Sequence, residues 1–420
     1  MLTFVGIVFC ICQNRIHQFY FRDLHGLEMH HKNIIEAFRK EYNTDPEITV
    51  RAPGRINLIG EHTDYNDGFV LPAAVNKSIY FCLSSREDDL VNLYSADLNE
   101  TCSLDIHHFE KTETSWANFL IGVAAELKSD GALIDHGFNL AFGGDVPLGA
   151  GMSSSAAIES GMGTALNELF DLNKTKLELA LIAQRAEHHF AGVRCGIMDM
   201  YASILGKEKQ LIRLDCRDLT HKYLPFDFEN IDIVLFNSGV KHNLAETQYN
   251  VRREQCEAGV KILNSRYGQI SSLRDADMKQ LMEAREEMTD IVFDRCHFVI
   301  SETERMMRAT AALENHDLKE FGELMLETHR GLRDEYEVSC AELDFLVDLV
   351  KDETGVYGAR MMGGGFGGCT INLIKSSEKQ RIIDLVTAAY QRQFGIIPEH
   401  YEVEITDGCE LITVLQEEKL

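Results

Sequence analysis

Four short stretches of the chain carry residue types that could do chemistry. Arg51–Ala73 (RAPGRINLIGEHTDYNDGFVLPA) sets Glu61, His62 and Asp64 within four positions of one another, among Gly and Pro in a strand-like run. Carboxylates and an imidazole placed so closely can accept from and donate to the hydroxyls of a polyol. A polar surface loop has the same composition, and spacing alone leaves both readings open. Gly143–Ala157 (GGDVPLGAGMSSSAA) follows a strand-like run and leads into a helical one. Glycines let a backbone approach a ligand closely. A serine run at a helix start meets the free N–H groups and the dipole that favour phosphate. A serine hydroxyl there can also reach a magnesium ion. A simple helix cap needs one serine; three beside four glycines point to a phosphate loop. No GK[ST] follows, so it is not a Walker loop. Arg360–Thr370 (RMMGGGFGGCT) matches GxGxxG through Gly363, Gly365 and Gly368. A dinucleotide fingerprint needs a strand before and a helix after; here the strand-like Cys369–Ile374 comes after. No HRD or DFG element accompanies it. Five glycines around one Phe, just before an apolar strand, suit close packing better than a slack linker. In Glu187–Asp199 (EHHFAGVRCGIMD), Asp199 follows the apolar pair Ile197–Met198. It reads as a partly buried acid, either a satisfied core group or a functional one. Glu187, His188 and His189 are adjacent on a helix and point in different directions, which argues against a transition-metal cluster.

The elements that must position these residues are mixed. Asn33–Tyr42, Trp116–Leu127, Ser154–Phe170 and Lys176–Phe190 read as helices. Ile48–Ala52, broken by Pro53–Gly54, reads as a strand. Val75–Ser84, Val91–Ser95, Phe138–Phe142, Gln210–Leu214 and Ile231–Asn237 read likewise. The second half is helix-rich, with Gln248–Asn264, Met278–Phe293, Cys296–Glu314 and Leu318–Leu332, and closes with strands at Val403–Thr406 and Leu411–Leu415. This order predicts an α+β protein of two lobes, divided as 29–220 and 221–420. The 420 residues suffice for two or three packed domains. Hydrophobic residues at 45% and charged residues at 26% are ordinary globular values. The formal net charge of −26 repels nucleic acid and anionic membrane. It repels ATP too, so a nucleotide site must supply backbone N–H groups and a metal locally. Eleven cysteines without CxxC or zinc spacing read as free thiols in a reducing, cytoplasmic setting. Met1–Cys12 is apolar but too short to span a bilayer, and it lacks the marks of a signal peptide. Residues 1–28 are expected to be an extension upstream of a working start at Met29.

Taken together, the segments resemble the galactokinases of the GHMP small-molecule kinase family, from about Ile48 to the C-terminus. GRINLIGEHTDYNDG resembles the galactokinase signature, PLGAGMSSSAA the ATP-phosphate loop and GGGFGGC the third glycine motif. AGVRCGIMD, HNLAETQYNVRREQCE and HRGLRDEYEVSC are similar to further stretches of that family. The resemblance implies a first lobe with a mixed sheet of the ribosomal-protein-like type and a ferredoxin-like second lobe with added helices. It implies that Asp199 is the catalytic carboxyl group facing the sugar O1, to take its proton or to orient and polarise it, with Arg55 beside it holding it ionised. Glu61, His62, Thr63, Asp64, Gly196 and Tyr249 would bind galactose. Pro147, Gly149, Ala150, Gly151, Met152, Ser153, Ser154, Ser155 and Ala156 would wrap the ATP phosphates, and Trp116 and Phe119 would lie near adenine. Ser154 and Glu187 would hold Mg2+. Gly363, Gly364, Gly365, Phe366 and Gly367 would steady the site from the second lobe. Two positions depart from the family pattern. Met200 stands where GIMDQ has Gln, and Met362 where MTGGG has Thr. The expected activity is transfer of the γ-phosphoryl group of ATP to galactose by a monomer that binds neither nucleic acid nor membrane. A kinase of a related sugar and a sugar-responsive regulator with weakened catalysis are the alternatives.

Overall fold

The computed structural model describes residues 30–240 and 245–412; the proposed extension before Met29 lies outside them. Three sheets organise the chain. The largest has six strands in the order Glu410–Leu411, Ile48–Asn57, Pro72–Ser85, Phe138–Gly144, Leu90–Ser95, Glu100–Asp105. All neighbours are antiparallel except Leu90–Ser95 against Phe138–Gly144. A three-stranded sheet of Phe69–Val70, Gln210–Asp215 and His221–Pro225 flanks it. The helices Ser115–Ser129, Ser154–Leu169 and Lys176–Ala186 complete the first lobe. The second lobe is built on a four-stranded sheet, ordered Val356–Met361, Cys369–Lys375, Ile231–Asn237, His400–Val403. The helices Ala245–Tyr267, Asp290–Glu314, Leu318–Asp334, Ala341–Val350 and Lys379–Phe394 pack around it. The α+β, two-lobed expectation holds.

Several boundaries differ from the sequence reading for identifiable reasons. Pro53–Gly54 does not end the first strand. It makes a bulge between Pro53 and Arg55, and pairing resumes to Asn57. The bulge turns the Arg55 N–H onto the Met152 carbonyl at 3.0 Å, and a side chain at Gly54 would strike that oxygen at 2.8 Å. The run Met278–Phe293 is not one helix. Met278–Glu283 stops, and a new helix starts at Asp290 because the Thr289 side chain caps it by accepting from Val292 N–H. Lys176–Phe190 likewise ends at Ala186 in a π-turn, Glu187–Ala191. His221–Pro225 pairs with Gln210–Asp215, so first-lobe structure runs past residue 220. The closing strands are His400–Val403 and Glu410–Leu411; Ile405 forms only an isolated bridge to Val75. Leu411–Leu415 is described only to residue 412. Glu410–Leu411 pairs with Ile48–Asn57, so the chain end returns to the first lobe.

Candidate active site

Four loops converge where the lobes meet. One cleft is lined by side chains of Arg55, Glu61, His62, Asp64, Phe119, Ser153, Ser155, Glu187, Asp199, Met200 and Tyr249, and by Gly196, Gly363 and Gly364. All four chemically suggestive stretches therefore contribute to one site.

Asp199 stands near the start of the short helix Met198–Leu205. Arg55 grips its carboxylate with two parallel bonds, Nε to Oδ1 and NH2 to Oδ2, both 2.7 Å. This is the fork geometry that an ammonium cannot reproduce. Arg55 is buried, which disfavours its charge, yet Asp199 together with Glu61 and Asp64 outweighs burial and raises its pKa. The third guanidinium nitrogen donates to the Gly151 carbonyl, so one arginine ties the acid to the glycine-serine loop. Ser153 Oγ donates to Asp199 Oδ2 at 2.5 Å. Ser153 holds a left-handed φ of 55° and makes no side-chain cap on the helix Ser154–Leu169. The serine run is therefore not a plain helix cap. It leaves N–H groups open at the helix start, the arrangement that receives anions.

The signature segment forms the opposite wall. Glu61 accepts from Gly363 N–H at 2.9 Å and from Arg360 at 2.8 Å. Arg360 is fully buried and also donates to the carbonyls of Asn57, Leu58 and Met361. Burial, with Asp199 nearby, raises the Asp64 pKa to about 7. Burial likewise lowers His62 to about 4, which leaves a neutral imidazole. Gly196 fits because it has no side chain; a Cβ there would lie 1.9 Å from Asp64 Oδ2. The Tyr249 ring lies 5.3 Å from His62 and 5.2 Å from Tyr65.

Other expected residues lie behind the cleft or at its rim. The buried Thr63 hydroxyl sits between the carbonyls of Gly60 and Phe69, at 2.8 and 2.7 Å, and locks the turn. Pro147 and Gly149 form the outer loop, whereas Ala150, Met152 and Ala156 are buried beneath it. Ser154 starts the helix, although Ser153 and Ser155 line the cleft. Trp116 donates to Glu100 at 2.8 Å and packs on Phe142, outside the cleft. Gly365, Phe366 and Gly367 build the third glycine loop without lining the cleft. A side chain at Gly365 would strike the Val338 carbonyl at 2.2 Å. Phe366 faces the Arg252 guanidinium at 5.7 Å. This loop rests on the phosphate loop, for a Cβ at Gly151 would meet the Met362 carbonyl at 3.2 Å. Of the two departures, Met200 lines the cleft and Met362 supports the loop from behind.

Sequence reading passed over two charged groups, Arg360 and Glu159. Glu159 is fully buried one helical turn beyond Ser155, and burial, with Glu187 beside it, pushes its carboxyl well above the usual range. Its signal was a glutamate in the small and apolar first half of the helix, four residues after a cleft serine. As for a metal, no group of three or more His, Cys, Asp or Glu side chains placed to hold a metal ion occurs among the described residues. A nucleotide-bound magnesium needs no such cage, since it keeps waters and phosphates and takes one or two protein oxygens. Glu187, Ser153 and Ser155 line the cleft and carry oxygens of that kind.

The two-lobed fold and the glycine-serine loop at a helix start, facing an arginine-held aspartate, define a small-molecule kinase. The chain belongs to the GHMP kinase family. Residues 118–207 match the model of the GHMP kinases N terminal domain and 309–392 that of the GHMP kinases C terminal domain. Within the family it falls in the galactokinase subfamily, since residues 36–85 match the galactokinase galactose-binding signature. It is 39% identical to a galactokinase of Roseiflexus sp. (strain RS-1), over 89% of this chain and 95% of that protein. It is 40% identical to that of Thermotoga petrophila, over 87% and 100%. A crystal structure of Lactococcus lactis galactokinase complexed with galactose superposes with a TM-score of 0.86 at 34% identity, covering 90% of this chain and 98% of that one. A mevalonate kinase structure at 16% identity and TM-score 0.61 shares the fold.

Proposed function

We propose that this protein transfers the γ-phosphoryl group of ATP to the O1 hydroxyl of galactose, giving galactose 1-phosphate and ADP. The observation that carries the reading is the Arg55–Asp199–Ser153 junction. It puts one carboxylate in the same cleft as the open helix start and the signature residues. Phosphoryl transfer asks for in-line placement and charge stabilisation more than for covalent chemistry. Glu61, His62, Asp64 and Tyr249 orient the sugar, with Gly196 leaving room for Asp64. Asp199 then holds the O1 hydroxyl and takes its proton as the bond to phosphorus forms. Arg55 keeps the acid in place, and its positive charge supports the anionic transition state. The open N–H groups of the helix start, with Gly149 and Gly151, hold the phosphates, and Phe119 lies towards the base. Ser154 and Glu187 would hold magnesium, which when bound offsets phosphate charge and orients the γ-phosphoryl group. Nine free thiols among the described cysteines support a cytoplasmic, reducing setting.

The test is a sugar panel with ATP and magnesium, reading ADP release and identifying the product by phosphorus NMR. Galactose should react best and give an anomeric phosphate. Preference for N-acetylgalactosamine, galacturonate or arabinose, or no ADP release at all, would overturn the reading.

A further inference from the structure

His62, Tyr65, Tyr336 and Cys256 form a buried line of polar atoms that phosphoryl transfer does not use directly. His62 Nδ1 lies 2.7 Å from the Tyr65 hydroxyl. The Tyr65 and Tyr336 hydroxyls are 2.8 Å apart, and Tyr336 is 3.2 Å from Cys256 Sγ. His62 and Tyr65 belong to the signature turn, whereas Tyr336 and Cys256 come from the second lobe. Arg252 anchors the Tyr336 segment by donating to the carbonyls of Tyr336 and Glu337, each at 2.8 Å. Each phenol has one proton, so the line can run in only two directions.

We propose that Tyr65, backed by Tyr336 and Cys256, fixes His62 with its proton on Nε2, so that His62 meets the sugar solely as a hydrogen-bond donor. This rests on the sugar-kinase reading above. Two chemical facts set the direction. A phenol O–H is a stronger acid than a neutral imidazole N–H, and an imidazole nitrogen is a stronger base than a phenol oxygen, so O–H to Nδ1 is the better pair. The reverse direction would end with a phenol donating to sulfur, a weak acceptor. With Nδ1 accepting, the proton stays on Nε2. Nε2 is buried without a hydrogen-bond partner of good geometry among the described residues. His62 is only 3% exposed and lines the cleft. Buried donors are nearly always satisfied; among the described residues only the Gly364 backbone stands beside this N–H, without good alignment, so a sugar hydroxyl supplies the well-aligned acceptor. Burial holds the ring neutral, and the Gly364 backbone beside it favours an N–H. Because half of the line comes from the second lobe, the tautomer depends on the lobes being docked. Tyr65 and Tyr336 are positioning residues that act through His62.

Nitrogen-15 NMR of the full chain labelled at histidine reads the tautomer without substrate. The expected result is a protonated Nε2 and a bare Nδ1 in His62, with mixed tautomers in Tyr65→Phe. Kinetics with deoxygalactoses and their deoxyfluoro counterparts give a second readout, because fluorine accepts weakly and cannot donate. At one ring position the wild type should favour the fluoro over the deoxy sugar by about three- to tenfold, the worth of one hydrogen bond. That preference should shrink in Tyr65→Phe and survive in Cys256→Ser, which keeps a hydroxyl at the end of the line. A proton on Nδ1 in the wild type, or an unchanged tautomer in Tyr65→Phe, overturns the proposal. If Tyr65→Phe does not fold, the wild-type nitrogen shifts and the wild-type fluoro-over-deoxy preference decide, and the absence of either overturns the proposal. A chain that phosphorylates no sugar would sink the kinase reading, while the nitrogen shifts would still decide this one.

Discussion

Replacing Gly196 by Ala tests the site at its tightest point. The added methyl would sit 1.9 Å from Asp64 Oδ2, 2.1 Å from its Cγ and 2.7 Å from its Cβ. Gly196 is not among the positive-φ residues, so alanine accepts the backbone there and the whole effect is steric. Real Cβ contacts do not fall below 3.0 Å, so the Asp64 carboxylate must retreat by at least about 1.1 Å. Asp64 is buried in the tight turn Asp64–Asn66, so the carboxylate cannot swing free and the retreat lifts it from its sugar-facing position. A misplacement of about 1 Å in a positioned group costs about 10²-fold, or about 2.7 kcal/mol in transition-state binding. We expect kcat/KM for galactose to fall by about that factor, with KM for ATP within about twofold of wild type. A coupled ADP-release assay with each substrate varied in turn measures both, and circular dichroism melting checks the fold. A folded Gly196→Ala enzyme with an unchanged kcat/KM for galactose would refute the placement of Asp64 against the sugar.

Three further outcomes follow from the same geometry. Asp199→Ala should lower kcat by about 10²-fold or more, the size of a lost acid–base group, and near-wild-type turnover in stopped assays would end its assignment. Arg360→Met should leave Glu61 buried without its partner and destabilise the protein by about 3–5 kcal/mol, read as a shift in the urea midpoint; no shift would mean the ion pair is not closed. Asp64 has a folded pKa near 7, above the usual carboxylate value. The folded state therefore holds a proton that the unfolded chain releases between about pH 4 and pH 7, and stability falls as pH rises through that window. Asp64→Asn should remove that slope and gain at most about 4 kcal/mol above pH 7 while losing galactose kinase activity; an unchanged stability profile would contradict the raised pKa.

Much of this was legible in the sequence where local chemistry and local structure coincide. The serine run follows a strand and opens a helix, as its glycines and small residues demand, and the third glycine loop sits before the strand that it packs beneath. What sequence could not show is how distant elements share charge. Pro53–Gly54 reads as a strand breaker, because nothing local reveals that the bulge exists to dock Arg55 on the Met152 carbonyl. Thr289 reads as one more residue in a helical run, although its hydroxyl competes for the backbone and starts a new helix. Arg360 opens the third glycine stretch, and nothing beside it in the sequence marks it as buried. Its partners Asn57, Leu58 and Glu61 lie about 300 positions away. That separation explains why it matters. A buried arginine is tolerable only where carbonyls and a carboxylate meet it, and these come from the signature segment of the other lobe. The pair therefore does at the lobe interface what Arg55 does at the phosphate loop: each arginine ties one acid of the cleft to backbone carbonyls, Arg55 to Gly151 and Arg360 to Asn57 and Leu58. An enzyme whose substrate is held between two lobes needs both clamps, since a shift of either loop moves an acid relative to the sugar.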